Sequence, residues 1–484
     1  MGNVSRRRLI QMGAASAVAV GPLQGLLARP VAAGGKGRGR SPGGAAGYGP
    51  LSPLPDLRDG VVRLELPEGF QYRSFGIVGS VMDDGGITPP RHDGMSTFKG
   101  PKGSIRLVRN HEVLFAGAAI GDPVKAYDPM AAGGTTTLQV NADASSVESW
   151  VSIGGTHFNC AGGSTPWGSW ITCEETVNGP DVGPDFLGQG GPDGALTKPH
   201  GYIFEVPADA GPGEGPVATP VRSAGRFAHE ACAYDAATQA LYMTEDNFLF
   251  PSGIYRYLPP TNPNAAKRID DGGELQMLKI VGEDGAEMAF GRTAGDTFQV
   301  EWVTIPDPDP TFVGVPSNNE AIQAVGLQGF AQGAAKFSRP EGMINHARVL
   351  YWNCTQGGDP PPGEPIEFGY GDGRGQVFAL DLATNTLTLL YESPSMEVLD
   401  LPDNLTVTPR GTLLLCEDNS PDNFLRGLTR AGDLFDFAKN IIPGGDEEFA
   451  GATFSQDGDT LFVNIQGSIG ITFAIWGPWE RGPL

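Results

Sequence analysis

The stretch HEACAYDAATQALYMTEDN, residues 229–247, opens on a histidine and a glutamate, continues through small and apolar residues, and turns at DAATQ. It then runs into a second apolar strand that closes on Glu-Asp-Asn. Turn-forming residues between two such runs predict an antiparallel hairpin with polar groups at the start of its first strand and the end of its second. Five other stretches share the layout: HDGMSTFKGPKGSIRLVRNHE (92–112), NCAGGSTPWGSWITCEET (159–176), PEGMINHARVLYWNC (340–354), DNLTVTPRGTLLLCEDN (403–419) and EFAGATFSQDGDTLFVNIQ (448–466). Between them lie further strands such as HGYIFEVPAD (200–209) and GQVFALDLATNTLTLLYES (375–393). Six similar hairpins predict an all-β chain, a six-bladed β-propeller with loop-rich insertions, as one domain over 61–484. The copies are unevenly spaced, and 258–330 reads as a loop-rich insertion.

In a propeller the inner strand of every blade meets the central channel, and a hairpin returns its second strand to the same edge. Asp93, Cys160, Glu230, Glu341, Asn404 and Glu448 head the six copies. Glu112, Glu174, Glu175, Glu245, Asp246, Glu417 and Asp418 close second strands. That many carboxylates cannot all stay ionised at one place without compensation. Metal ions are the expected compensation, with oxygen ligands favouring calcium and a thiolate pointing to a transition metal. Cys160 supplies the one soft ligand, and Glu174 or Glu175 a hard one from the opposite end of the same hairpin. Of the five cysteines, Cys173, Cys232, Cys354 and Cys416 lie within apolar strand patterns and read as small core residues; Cys160 lies outside any apolar run.

A net charge of -23 excludes a nucleic-acid-binding protein, because a polyphosphate backbone needs Lys and Arg to neutralise it. The N-terminus carries Arg6, Arg7 and Arg8, then a short Gly/Ala-rich apolar segment, then small residues at Ala32 and Ala33. Residues 1–33 therefore read as a twin-arginine signal peptide, which implies the twin-arginine export machinery as a partner and a periplasmic or extracellular location. Residues 34–60 read as a linker or loose entry segment. No stable membrane span is expected after cleavage, and no GxxxxGK[ST], GxSxG or HExxH motif is present.

At RNHE (109–112), NCAGGSTPWGSWITCEE (159–175), GRFAHEA (225–231), RPEGM (339–343), LCEDN (415–419) and EFAGATFSQDGDTLFVNIQ (448–466) the chain resembles the PhoX-type alkaline phosphatases, exported phosphatases that depend on calcium and iron. The resemblance implies a propeller whose axial site holds two ferric ions (Fe3+) and calcium ions (Ca2+) around a bridging oxygen. It implies Cys160, Glu230 and Glu341 as iron ligands. It also implies Glu112, Glu174, Glu175, Asp418 and Glu448 at calcium or bridging positions, and Arg339 as the group that holds phosphate.

Phosphate monoester hydrolysis needs charge neutralisation at the phosphoryl oxygens and an oxygen nucleophile in line, which a cation cluster supplies. Arg339 suits the remaining part, since a guanidinium grips two phosphate oxygens at once and keeps its charge. His111 and His229 read as orienting or core residues, His200 and His346 as structural ones, and Trp167 and Trp170 as packing between blades. Two other functions compete with the phosphatase: a calcium-dependent lactonase or esterase, and a non-catalytic calcium-binding envelope propeller. Cys160 separates them, because a thiolate serves iron and is superfluous for calcium alone.

Overall fold

The computed structural model describes residues 47–484 apart from 420, 421, 444–446 and 468. The expected signal peptide lies outside the described residues. Six antiparallel blades have the inner strands His92–Lys99, Asn159–Ser164, His229–Asp235, Pro340–His346, Pro402–Val407 and Phe449–Phe454. Each inner strand packs against the next in chain order and the sixth packs against the first, closing a six-bladed ring.

Because each blade is covered on both faces by its neighbours, its middle strands cannot alternate between apolar and polar residues. Leu413–Glu417 and Leu461–Ile465 are buried along their whole length. Among the described residues the apolar interior is accordingly divided into one cluster at each of the six interfaces between adjacent blades, with a small seventh of Val177, Val182 and Ala321 under the outer loops. Trp352 and Phe378 stack with their ring centroids 5.6 Å apart between blades three and four. Cys173 and Cys232 sit between blades two and three, Cys354 between three and four, and Cys416 between five and six, all as small core residues. Cys160 is buried but belongs to none of these clusters. Trp170 packs between blades one and two, and Trp167 at the edge of the next interface.

The ring is closed by joining the two ends of the chain. Gln71–Phe75 pairs with Ile471–Trp476, so blade six has three C-terminal strands and one from the N-terminal side. Among the described residues no helix is long and apolar enough to cross a membrane.

Two segments differ from expectation. Residues 47–60, read as loose entry, are part of the domain: Val62–Pro67 adds to blade five through Leu64↔Asn440, and Leu51–Pro55 pairs along its remaining edge. Pro53 and Pro55 fit this outermost position, where no neighbouring strand needs their missing N–H. The segment 258–330 is less loop-rich than expected. Glu274–Ile280 extends blade three, and Thr297–Thr304 pairs with it on one side and with blade four, through Phe298↔Leu387, on the other. Short helices Asn318–Ile322 and Ala324–Phe330 complete it.

Candidate metal centre

Every inner strand breaks register near its start. In blade one His92 pairs with His111, but the next pair is Met95 with Arg109. The same slip occurs after Asn159, His229, Pro340 and Pro402, and in blade six after Ala450. The first residue left outside the ladder is Asp93, Cys160, Glu230, Glu341 or Asp403 in blades one to five, and Gly451 in blade six. A bulge re-aims a side chain, and here it turns five ligand-type groups to one place. The crowding explains the small residues that follow: a Cβ on Gly94 would lie 2.5 Å from Ala161 Cα. Gly451, at φ +61, cannot be anything larger, because its Cβ would lie 2.5 Å from the carbonyl oxygen of Asp93.

A second tier comes from the far ends of the hairpins. The residue after each second strand donates its N–H to the carbonyl of the residue preceding the first ladder pair. These bonds run from Glu112 to Arg91, Glu175 to Phe158, Asp246 to Ala228, Thr355 to Arg339, Asp418 to Leu401 and Gln466 to Glu448, at 2.9–3.1 Å. They hold Glu112, Glu175, Asp246 and Asp418 at the same edge of the ring as the bulged residues.

Among the described residues three buried donor sets result, each with ligand atoms within 4.8 Å of one another: Asp93, Glu112 and Cys160; Cys160, Glu175 and Glu230; Glu230, Glu341 and Asp403. Cys160 and Glu230 are shared, so the sets form a continuous line across blades one to five. Cys160 Sγ lies 3.1 Å from Glu230 Oε1 and 3.4 Å from Asp93 Oδ2. Glu341 is pushed well above the usual carboxylate range by burial, then by Asp246, Asp403 and Glu230, with Arg339 opposing. Its Oε2 is buried and makes no hydrogen bond among the described residues. Glu448 is likewise raised, by burial and by Asp418, Asp403 and Asp93 facing it. Asp418 and Glu448 thus adjoin the cluster without completing one of the three sets.

Glu174 is not in the cluster, contrary to expectation. It is the last ladder residue, opposite Asn159, and its side chain turns into the blade. Oε1 accepts from His157 N and His200 Nδ1, at 2.8 and 2.7 Å, and Oε2 from the N–H groups of Gly201 and Tyr202, at 2.8 and 3.1 Å. Glu245 and Glu417 hold the same position in blades three and five. Glu245 accepts from Gly253 N and Tyr255 Oη, Glu417 from Asp400 N and Arg426. Burial raises them to about 8 and about 7. These three carboxylates tie down loops of their own blades.

Arg339 stands two residues ahead of Glu341 with φ +47, a left-handed conformation uncommon for a side chain this large. Its Nε donates to Asp246 Oδ1 at 3.0 Å, and Nη2 to Asp246 Oδ2 at 2.6 Å and Glu341 Oε1 at 3.0 Å. Phe248 lies under the guanidinium, 4.9 Å from Cζ to the ring centroid. The histidines stay outside the ligand sets: His111 contacts Thr136 and Pro90, and His229 contacts Gly225.

Asp403 and the partnership of Asp246 with Arg339 were missed in the sequence, and Asp93 was read only as the head of its repeat. Four of the bulged residues are followed by Gly or Ala, a signal that finds Asp93. Asp403 is followed by Asn404 and lacks it.

A family model, alkaline phosphatase PhoX, matches residues 46–468. No curated protein matches the chain in sequence. Among solved structures the chain is similar to Pseudomonas fluorescens PhoX in complex with vanadate, a transition state analogue, at 18% identity and a TM-score of 0.62, over 91% of this chain and 99% of that one. It also aligns with a gluconolactonase of Xanthomonas campestris (13% identity, TM-score 0.40, 90% and 99% covered). A catalytically inactive virginiamycin B lyase of Staphylococcus aureus with quinupristin aligns at 10% identity and a TM-score of 0.38, over 84% and 99%.

Proposed function

The chain belongs to the alkaline phosphatase PhoX family and is a metal-dependent phosphatase, and from that premise we propose that it hydrolyses phosphate monoesters to inorganic phosphate at an iron and calcium cluster in the channel. The observation that carries the reading is the line of three buried donor sets joined through Cys160 and Glu230. The residues fit cations: carboxylates crowded in a buried space repel one another, and Glu341 Oε2 has no hydrogen-bonding partner among the described residues to offset its burial. In this reading Cys160, Glu230 and Glu341 hold iron, the thiolate supplying the soft donor. Asp93, Glu112, Glu175 and Asp403, with Asp418 and Glu448 beside them, hold calcium through oxygen. Bound cations would supply the positive charge and Lewis acidity that draw in a phosphate dianion and polarise it for attack by water.

The protein's own part is positioning. Asp246 fixes the plane of the Arg339 guanidinium through two hydrogen bonds from Nε and Nη2, and Phe248 supports its face, so the group is preorganised as a fixed positive charge for a phosphoryl oxygen. The strained backbone at Arg339 aims that charge, and Pro340 restricts the strand that follows. Export through the twin-arginine pathway fits a protein that acquires its metals before leaving the cytoplasm, and belongs to the same reading.

Elemental analysis of the purified protein, with 4-nitrophenyl phosphate hydrolysis before and after chelation, tests it. Iron with calcium, turnover lost on chelation, and inhibition by vanadate are expected. Cys160→Ala is expected to lose iron and at least about a hundredfold in turnover while keeping its circular dichroism spectrum. Full activity in that variant would remove Cys160 from the centre.

A further inference from the structure

The ring places blades one and four three steps apart in either direction, so they face each other across the channel. Blade four brings Arg339. Blade one brings an arginine to the equivalent position: Arg91 stands two residues ahead of the bulged Asp93, as Arg339 stands two ahead of Glu341. Arg91 has φ +52, and its carbonyl accepts the N–H of Glu112 just as that of Arg339 accepts the N–H of Thr355. No other blade has a basic residue there; the corresponding positions are Phe158, Ala228, Leu401 and Glu448.

The two guanidinium groups are held differently. Arg339 is locked by Asp246 and Glu341, and its side chain is 5% exposed. Arg91 is 15% exposed and its Nη1 reaches the neutral Gln466 Oε1 at 3.2 Å and Glu112 Oε2 only at 3.5 Å. Both contacts use Nη1, leaving Nε and Nη2 without an acceptor among the described residues. Gln466 in turn donates to Asp93 Oδ2 at 2.6 Å, so Arg91 is anchored at the edge of the first donor set. A guanidinium edge without an acceptor beside a metal-type cluster is suited to an oxyanion, for which it offers paired N–H donors in a plane.

We infer that Arg91 is a second phosphate-binding arginine, meeting the substrate's phosphoryl group from the side opposite Arg339. This rests on the phosphatase reading above. The transferred phosphoryl group spreads its charge over three oxygens, and donors on two sides match that distribution better than one fork alone.

The test is Arg91→Ala and Arg91→Lys in the metal-loaded protein, measuring competitive inhibition by inorganic phosphate, KM for 4-nitrophenyl phosphate, metal content and thermal midpoint. For Arg91→Ala, Ki for phosphate and KM are expected to rise together by about tenfold, the loss of one charge-assisted contact, with metal content and midpoint as in the wild type. Arg91→Lys keeps the charge without the fork and is expected to lie between. Unchanged Ki and KM would overturn the inference. So would a fall in metal content that accounts for lost activity, since Arg91 would then serve only as counter-ion to Glu112. If the metal-loaded wild type hydrolyses no phosphate ester, the phosphatase reading itself fails, and the variants need not be made to see it.

Discussion

His200 shows how one residue can matter to the site without entering it. Fully buried, it donates from Nδ1 to Glu174 Oε1 at 2.7 Å and from Nε2 to Asp128 Oδ2 at 3.4 Å. Burial alone would lower its pKa, but the charges and hydrogen bonds of Glu174 and Asp128 outweigh it and raise the group to about 9. The folded state therefore holds the proton more tightly than the unfolded chain, with its ordinary value of 6.5. That contribution is whole below about pH 6.5 and fades as pH climbs to about 9. At its largest it is about 3 kcal/mol. His200→Gln should lie well below the wild type in thermal midpoint at pH 6 and approach it at pH 9.5; a gap that stays constant would show that His200 is neutral in the fold. Sequence reading marked this histidine as structural, but nothing in its neighbours revealed the carboxylates it joins, which lie 26 and 72 residues away.

The inner strand with its bulge is the element that builds the centre. A regular strand would alternate its side chains between faces, and ladder residues such as Glu174, Glu245 and Glu417 turn into the blades. The bulge takes one ligand-type residue out of that alternation at the same point in five blades, and the N–H that follows the second strand pins an acidic residue beside it in blades one, two, three and five. Blade six substitutes Gly451, whose position is taken up by the Asp93 carbonyl. Gly451→Ala is expected to destabilise the fold by about 1–3 kcal/mol through strain at positive φ and the clash with Asp93, read as a lower urea midpoint. An unchanged midpoint would mean that blades six and one can separate there without loss. The paired glutamates 174 and 175 illustrate why the sequence alone could not rank the ligands: both stand at the end of the same strand, and only the point where the ladder ends decides which one faces the channel.

At the scale of the whole molecule, stability depends on closure. Six interfaces share the apolar interior, and closure relies on Gln71–Phe75 from the N-terminal side, the strand that completes blade six. Tyr72 is central to it: fully buried, it stacks edge-on to Phe473, and its hydroxyl donates to Leu54 O and accepts from Arg63 N, both at 2.9 Å. Tyr72→Ala should cost about 3–5 kcal/mol, the usual loss for a large buried aromatic, and loosen the N-terminal strands. Limited proteolysis should then cut first between residues 55 and 75, and protection equal to the wild type would show that closure does not depend on this ring. Much of this plan was determined by the sequence. Apolar strand pairs, turn residues and polar ends repeat six times because each blade must bury both faces and return its ends to one edge, so the blade count and the families of candidate ligands could be read along the chain. Cys160 was identifiable because it alone among the cysteines stands outside an apolar run. Tertiary structure decided the rest: that Asp93 and Asp403 join the centre while Glu174 leaves it, that Asp246 steers Arg339, and that Arg91 stands opposite. Those facts depend on where a ladder slips by one residue and on which blades meet across an axis, and neither the slip nor the meeting is encoded in the spacing of residues along one strand.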